Sequence, residues 1–427
     1  HQYAEIGGVA MNGMDGFLGA MIASESILDG ATVLHGPGGC RRMTSVLSSK
    51  LLPRDYSAKC GSFFFNEPRI PCTFVDSSDY IYGATDKVGM VLNILEKEEC
   101  KIAVLLESPA TSLIGDHILD EVQSSDVSDR CIVVNKCSMS LPFSEGFDSI
   151  IESICRKLVS AREKKRKAVN IIGAPFTMRG NNYFLKEMKE LLEMMGLETI
   201  ACIGSGCTTD DIRRSSEALA NVCICPEYCK KTSEFYESIG IPTTYSEYGA
   251  PIGHDNMRDL IRSVAEKTDT DPSKALEYID SDEKEMTNRI KASLSASNRL
   301  NYRSFSVLAE SSVSLALVKF MGKTLKMIPE CINFTDSDQR TYMKLEGLLD
   351  RLESSDVLSK RFGDEYADIC IGPGAMTKRL EMKGLCRKGI DAGLPTSDSV
   401  DLFPKSILGV NGGRHLADLV INSIYFK

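Results

Sequence analysis

The chain lacks tryptophan, an excess of positive charge and any long hydrophobic run. Its net charge of −9 argues against nucleic acid or an anionic membrane as the main partner, because both bind a basic surface. Hydrophobic runs such as residues 102–106 are too short to span a bilayer, and no secretory signal pattern opens the sequence. We therefore expect a cytoplasmic protein that binds neither nucleic acid nor membrane.

The sequence contains partial matches to two nucleotide-binding motifs. Residues 322–324 read Gly-Lys-Thr, like the end of a P-loop, but the first glycine of that motif would fall at Leu317. Gly204 and Gly206 lack the third glycine of the dinucleotide fingerprint. We therefore expect no nucleotide on this chain.

A chain of 427 residues, 43 % of them hydrophobic, has room for about three domains. Strand-like and helix-like segments alternate almost throughout, the pattern of parallel α/β proteins. We predict an α/β domain over 1–165, a second over 166–268, a connecting helix over 269–301 and a third α/β domain over 302–427. Ligands of open α/β sheets bind at the carboxyl ends of strands, so we expect a shared central cleft.

The pattern also predicts individual elements. The predicted strands cover residues 31–34, 101–106, 131–135, 168–173, 198–203, 221–225, 305–308, 324–328 and 367–371. The predicted helices cover residues 16–28, 41–51, 84–97, 144–163, 181–195, 209–219 and 229–239.

Cysteine, in contrast, is abundant, with 15 in the chain. Without an export signal, we expect free thiols, most of them packed as small hydrophobes and some available for metal. No compact C-x₂-C-x₂-C run is present, so a cluster would take ligands from separate loops, such as those with Cys60 and Cys72, or from another chain. The densest group spans 223–229, where strand alternation suits core packing but Cys225 or Cys229 could face the cleft.

The sharpest feature is the glycine turn HGPGGC at residues 35–40, between a predicted strand and a helix-like segment. At a helix N-terminus, the dipole, the backbone N–H groups and the neighbouring Arg41 favour a Cys40 thiolate. Such a thiolate is a nucleophile, with His35 as the local base, or a metal ligand. The glycines also suit the close approach of an anionic cluster to the backbone. Cluster ligand, reactive thiol and structural turn are all open at this point.

Five segments in register resemble the nitrogenase MoFe-protein superfamily. Residues 35–40 are similar to its HGPxGC cluster-binding loop, 79–84 to its VFGG segment and 107–116 to its ECP…LIGDD stretch. Residues 169–206 are similar to its second-domain pattern, and 225–242 to the segment that carries the active-site cofactor's cysteine ligand. The resemblance runs nearly from end to end and implies three Rossmann-like (flavodoxin-like) parallel-sheet domains around a central cleft.

The residues at the implied site differ from those of nitrogenase itself. Asp15 and Ser108 stand where the family's first and third cluster cysteines fall, which favours a four-iron iron–sulfur cluster over the eight-iron P-cluster. Cys225 fits the cofactor ligand with a one-residue shift, while the completing histidine is replaced near residues 398–401. A second metallocofactor near Cys225 is therefore an open alternative. The implied cofactor-binding residues are His35, Gly36, Gly38, Gly39, Arg41 and Ser108, and the implied metal ligands are Asp15, Cys40, Cys60, Cys72 and Cys225.

The resemblance implies an oxidoreductase subunit. Its partners would be a paralogous or identical subunit and a separate ATP-dependent P-loop iron protein. Electrons from that iron protein would reach the interfacial cluster and then a substrate or metallocofactor in the cleft. One alternative is a non-catalytic scaffold for assembly of a complex iron–sulfur cofactor on the same loops. Another is a metal-free structural partner of a cluster-bearing paralogue. The substrate is not specified by these residues.

Overall fold

The computed structural model describes residues 14–41, 52, 70–97, 100–116, 118–134, 140–161, 165–294, 301–396 and 403–425. Within these ranges the strands form three parallel sheets, in the orders β1-β2-β3, β5-β4-β6-β7 and β11-β10-β8-β9. The predicted architecture of three parallel α/β sheets is confirmed. Where the domain boundaries fall stays a prediction.

The strands are short and mostly buried, as expected for parallel sheets covered by helices. They are β1 (Gly30–His35), β2 (Ile102–Glu107), β3 (Cys131–Val134), β4 (Ala168–Ile172), β5 (Glu198–Cys202), β6 (Ala220–Cys223), β7 (Thr243–Thr244), β8 (Ser304–Ala309), β9 (Ile328–Phe334), β10 (Ala367–Gly372) and β11 (Cys386–Asp391).

The helices connect and cover these strands. They are α1 (Gly16–Glu25), α2 (Gly38–Arg41), α3 (Asp79–Tyr82), α4 (Thr85–Glu96), α5 (Ile118–Ser124), α6 (Phe143–Leu158), α7 (Asn181–Met194), α8 (Thr209–Arg214), α9 (Lys230–Ser238), α10 (Gly253–Thr268), α11 (Ser273–Leu294), α12 (Ser311–Leu325), α13 (Gln339–Arg351), α14 (Gly374–Met382) and α15 (Gly409–Tyr425). None of these helices combines the length and the apolar character needed to cross a bilayer.

One predicted strand is wrong. Residues 324–328 contain the end of α12 and the first residue of β9 rather than a strand of their own. The helix α12 is buried around most of its circumference, so its sequence has little of the polar and apolar contrast that marks a helix. The Gly-Lys-Thr triplet at 322–324 lies inside α12 and not in a turn after a strand. The predicted helix over 41–51 lies outside the described residues, except for Arg41 at the end of α2.

The helices α1 and α6 cross with their backbones in close contact. A Cβ added to Gly146 of α6 would lie 1.9 Å from the carbonyl oxygen of Gly16, and one added to Gly19 would lie 2.0 Å from that of Phe143. Only glycine permits such an approach. The crossing places the N-terminus of α1, capped by Asp15, beside the first turn of α6.

Candidate metal centre and interdomain cavity

The carboxyl ends of β1 and β2 lie side by side and carry the predicted cluster loop. His35 at the end of β1 is in register with Glu107 at the end of β2. Residues 71–75 run alongside, because Leu34 donates its N–H to the carbonyl of Pro71 and Thr73 donates to that of Leu34. The loops that hold Cys40, Cys72 and Ser108 therefore meet at one edge of the first sheet.

Ser108 and Cys72 lie near enough to Cys40 to shift the pKa of its thiol. Burial, followed by the neighbouring Cys72, raises the pKa of the Cys40 thiol, while Ser108 lowers it. Burial therefore opposes the expected preference for thiolate in the protein without metal. The side chain of Arg41 lies outside the described part of the chain.

Cys72 is the second thiol at the edge. Its Sγ donates to the carbonyl of Gly36 at 3.0 Å and accepts from the N–H of Phe74 at 3.5 Å. Of the two additional ligands predicted from separate loops, Cys72 is thus brought to Cys40, while Cys60 lies outside the described residues. Two thiols and one hydroxyl converge here.

The loop glycines have different neighbours. A Cβ on Gly36 would lie 2.6 Å from both Cβ and Oγ of Ser108, and one on Gly38 would lie 2.8 Å from the ring of Phe74. A Cβ on Gly39 would meet nothing within 4 Å among the described residues. Two of the three glycines thus allow close packing within the protein, and the third, Gly39, presents backbone to open space.

His35 is occupied by structural hydrogen bonds. Its Nδ1 lies 3.1 Å from the hydroxyl of Thr73, and its Nε2 lies 3.0 Å from Oδ2 of Asp116. Burial lowers the pKa of His35, although the neighbouring Asp116 opposes the shift. With both ring nitrogens engaged, His35 positions the loop and is not placed as a base for Cys40.

The contacts of Asp15 are different from those of Cys40 and Cys72. Its Oδ1 accepts the N–H of Leu18 at 2.9 Å, so it caps α1, and the residue also lines the interdomain cavity. Burial raises the pKa of Asp15. Among the described residues, no group of three or more His, Cys, Asp and Glu side chains is arranged to hold a metal ion. Asp15 as an iron ligand stays a prediction.

Cys225 lies in a fully buried group of thiols after β6. Cys223 and Cys229 of this group have their sulfur atoms 3.3 Å apart. Burial, followed by the charges of Glu227 and Glu310, raises the pKa of the Cys225 thiol well above its usual range. Cys225 does not line the interdomain cavity, so the core-packing interpretation fits its position best. Residues 398–401 lie outside the described part of the chain.

The interdomain cavity has a volume of about 330 Å³ and takes residues from all three sheet regions. Its charged or polar lining includes Asp15, Tyr228, Glu310, Asp336 and Arg379. Burial, followed by the neighbouring Glu227, raises the pKa of Glu310 to about 8. Burial also raises the pKa of Asp336.

Sequence reasoning missed four residues that shape the loop edge of β1 and β2 or the interdomain cavity. Tyr228, Glu310 and Arg379 are separated by scores of residues, and no motif joins them. Asp116 falls inside the segment 107–116, but its hydrogen bonds to His35 and to the N–H of Ala84 could be found only from the fold.

The family model described as nitrogenase component 1 type oxidoreductase matches residues 16–425, and the chain therefore belongs to that family. The nitrogenase molybdenum-iron protein beta chain of Methanococcus maripaludis is 21 % identical, with 96 % of this chain and 93 % of that protein covered. One of the subunits of light-independent protochlorophyllide reductase from Halorhodospira halophila is 32 % identical over 22 % of this chain and 17 % of that protein. The resemblance drawn from the motifs is confirmed, and the family includes oxidoreductases.

A solved structure described as nitrogenase Cp1 at pH 6.5 has the same fold. Its TM-score is 0.75 at 18 % identity, with 95 % of this chain and 91 % of that chain covered. A second structure, described as nitrogenase Cp1 at pH 5, gives a TM-score of 0.68 at 16 % identity, with 96 % and 88 % covered.

Proposed function

We propose that this chain is a subunit of a nitrogenase-like two-component reductase. An ATP-dependent P-loop iron protein supplies the electrons, and the substrate occupies the interdomain cavity. The observation that carries the proposal is the meeting of Cys40, Cys72 and Ser108 at the carboxyl edge of β1 and β2. This edge follows the motif by which the chain resembles the family's cluster-binding loop.

An iron–sulfur cluster fits this edge as one half of a shared site. Such clusters commonly take four thiolate ligands, and Cys40 and Cys72 would provide two. Cys60 of this chain or cysteines of a second subunit would complete the set, which suits a four-iron cluster. When bound, the cluster supplies one-electron transfer. The hydroxyl of Ser108 lies near the Cys40 sulfur, where a hydrogen bond to the ligand would tune the potential of the cluster.

An exposed apolar surface beside the loop supports a subunit interface. Tyr82 is 86 % exposed, Ile81 76 % and Phe74 53 %, and Phe74 packs on Gly38 of the loop. Exposed aromatic and aliphatic side chains grouped in this way mark interaction sites. A paralogous or identical subunit would cover them and would close the open side at Gly39.

The experiment is anaerobic purification and reconstitution, followed by iron and sulfide analysis and by addition of the iron protein with ATP. The proposal predicts bound iron and sulfide and an ATP-dependent reduction of the cluster, seen as loss of visible absorbance. A protein that remains free of iron after reconstitution contradicts it. Release of the cluster to an acceptor protein, without substrate reduction, would instead identify the assembly scaffold.

A further inference from the structure

The interdomain cavity combines an apolar wall with two polar side chains whose hydrogen-bonding groups are not all satisfied by the described residues. Pro142, Phe143, Met376, Leu394 and Pro395 form much of the wall. A volume of about 330 Å³ lies in the range of small-molecule sites, which are typically apolar with a few placed polar groups.

Arg379 on α14 is the cation of this lining. It is exposed, and its guanidinium forms no hydrogen bond or ion pair with any residue that the structure describes. The carboxylates of the lining are engaged elsewhere: Asp15 caps α1, and Asp336 accepts from Ser144 and from the N–H of Ser337. A guanidinium is charged at every physiological pH, so the end of the cavity at Arg379 favours an anionic group.

Glu310 lies at the buried end of the same cavity. It is only 2 % exposed, and its Oε2 has no hydrogen-bond partner among the described residues. A buried polar atom without a partner is costly, which points to a group that arrives with the ligand.

The contacts of Tyr228 indicate which form of Glu310 is present. The hydroxyl of Tyr228 lies 3.0 Å from Oε1 of Glu310 and 3.0 Å from the carbonyl oxygen of Leu394. A hydroxyl has one proton, and the carbonyl can only accept. Both contacts are satisfied together when the Glu310 carboxyl is neutral and its Oε1 donates the one proton to the Tyr228 oxygen, which leaves Oε2 as a hydrogen-bond acceptor.

We propose that the cavity binds an organic anion with a largely apolar body, whose anionic group pairs with Arg379 and which donates a hydrogen bond to Oε2 of Glu310. The inference rests on the proposed reductase function and names the substrate class of that site. One anionic group fits better than several, because Asp15 and Asp336 also line the cavity.

The anionic end is tested with two fluorescent probes on the intact protein. The first is 8-anilinonaphthalene-1-sulfonate, and the second is N-phenyl-1-naphthylamine, which has the same aromatic body without the sulfonate. We expect Arg379→Gln to weaken binding of the sulfonate about tenfold and to leave the neutral probe unchanged, since a partly exposed charge contact of about 1.4 kcal/mol corresponds to that factor. Lys383→Gln, an exposed cation just after α14 that does not line the cavity, is the matched control.

The buried end is tested with 2-naphthol, whose hydroxyl can donate a hydrogen bond, and with 2-methoxynaphthalene, which has the same aromatic body without a donor. We expect Glu310→Met to weaken binding of 2-naphthol about fivefold and to leave the methyl ether unchanged, since a hydrogen bond of about 1 kcal/mol corresponds to that factor. Glu310→Gln, whose amide can donate to Tyr228 and still accept from the probe, should bind 2-naphthol like the wild-type protein. Cooperative urea unfolding of each variant verifies that it is folded.

Equal sulfonate binding by wild type and Arg379→Gln, or equal 2-naphthol binding by wild type and Glu310→Met, overturns the inference. Neither titration requires iron, so this failure is separate from failure of the reductase proposal. A protein that never binds iron but shows the predicted probe binding contradicts the reductase proposal alone.

Discussion

Nε2 of His35 lies 3.0 Å from Oδ2 of Asp116, and both side chains are almost completely buried. Thr73 fixes the ring, because its hydroxyl accepts the N–H of Gly36 at 3.0 Å and is therefore free to donate to Nδ1. His35 is then neutral with its proton on Nε2, which donates to Asp116. Asp116 also accepts the N–H of Ala84 at the start of α4. One carboxylate thus ties the cluster loop to the helix beside it.

Removal of this carboxylate should loosen the loop. We expect Asp116→Ala to lower the free energy of unfolding by about 2 to 3 kcal/mol, because it leaves a buried imidazole and a backbone N–H without their acceptor. Hydrogen exchange should accelerate in residues 35–41. Asp86→Ala, an exposed carboxylate in the first turn of α4, is the control and should change the stability little. Equal losses in the two variants would contradict the account.

Alanine substitutions at Gly36 and Gly39 of the loop should affect stability differently. Gly36→Ala places a Cβ 2.6 Å from Ser108 and should destabilise the protein by roughly 1 to 3 kcal/mol, as overpacking does. Gly39→Ala meets nothing in the described residues and should leave urea unfolding unchanged. The double variant with Ser108→Gly should recover much of the loss at Gly36. No recovery would show that the clash is not the cause.

The two thiols of the edge should be needed for iron. We expect Cys40→Ser and Cys72→Ser each to reduce the iron and sulfide content after anaerobic reconstitution to less than half, because each removes one thiolate ligand. The control is Cys100→Ala, since Cys100 lies just before β2, at the end of that strand opposite the site. Full iron content in either serine variant would remove that residue from the site.

Ser108 should control the ionisation of Cys40 in the iron-free protein. The hydrogen bond from Ser108 lowers the pKa of the thiol, so Ser108→Ala should raise that pKa further. The rate of Cys40 alkylation by iodoacetamide at pH 8, followed by peptide mass spectrometry, should fall several-fold. Ser112→Ala, whose hydroxyl donates to the carbonyl of Pro109, is the control. An unchanged rate in Ser108→Ala would contradict the contact.

Glu187 should make the stability of the fold depend on pH. Burial raises the pKa of Glu187 from 4.5 to about 7, although the N–H groups of Val410 and Asn411 oppose the shift. The unfolded chain therefore loses this proton at lower pH than the folded chain, and the free energy of unfolding falls between about pH 4.5 and 7. The shift corresponds to roughly 3 kcal/mol at most.

The variant Glu187→Gln tests this directly. Its carbonyl oxygen can still accept from Val410 and Asn411, both of which bond to Oε1. We expect urea unfolding of the variant to be flatter with pH, with a gain in stability at pH 8 and little difference at pH 4.5. Glu190→Gln, exposed on the same helix, should reproduce the wild-type profile. A wild-type profile in Glu187→Gln would refute the assignment.

The alternation of strands and helices was sufficient to predict the three parallel sheets, because buried parallel strands are short apolar runs. It failed at α12, which is apolar on most sides, and at β11, an edge strand with the polar sequence CRKGID. The residues of the candidate metal centre were likewise only partly predictable from the sequence. Motif order indicated Cys40 and Ser108, and the fold places Cys72 beside β1.

The cavity could not be predicted, because its function depends on distances and not on local pattern. Glu310 follows β8, Tyr228 follows β6 and Arg379 belongs to α14. None of the three belongs to a motif that the sequence alone reveals. Only the arrangement of the sheets brings a buried acceptor and a cation to the same cavity, both with unfilled hydrogen-bonding capacity among the described residues.

The most direct test of the central claim is an anomalous diffraction map at the iron edge from crystals of anaerobically reconstituted protein. We expect an iron peak within bonding distance of the sulfur atoms of both Cys40 and Cys72, at the carboxyl edge of β1 and β2. Iron bound elsewhere, with both of these thiols free of metal, would contradict the claim.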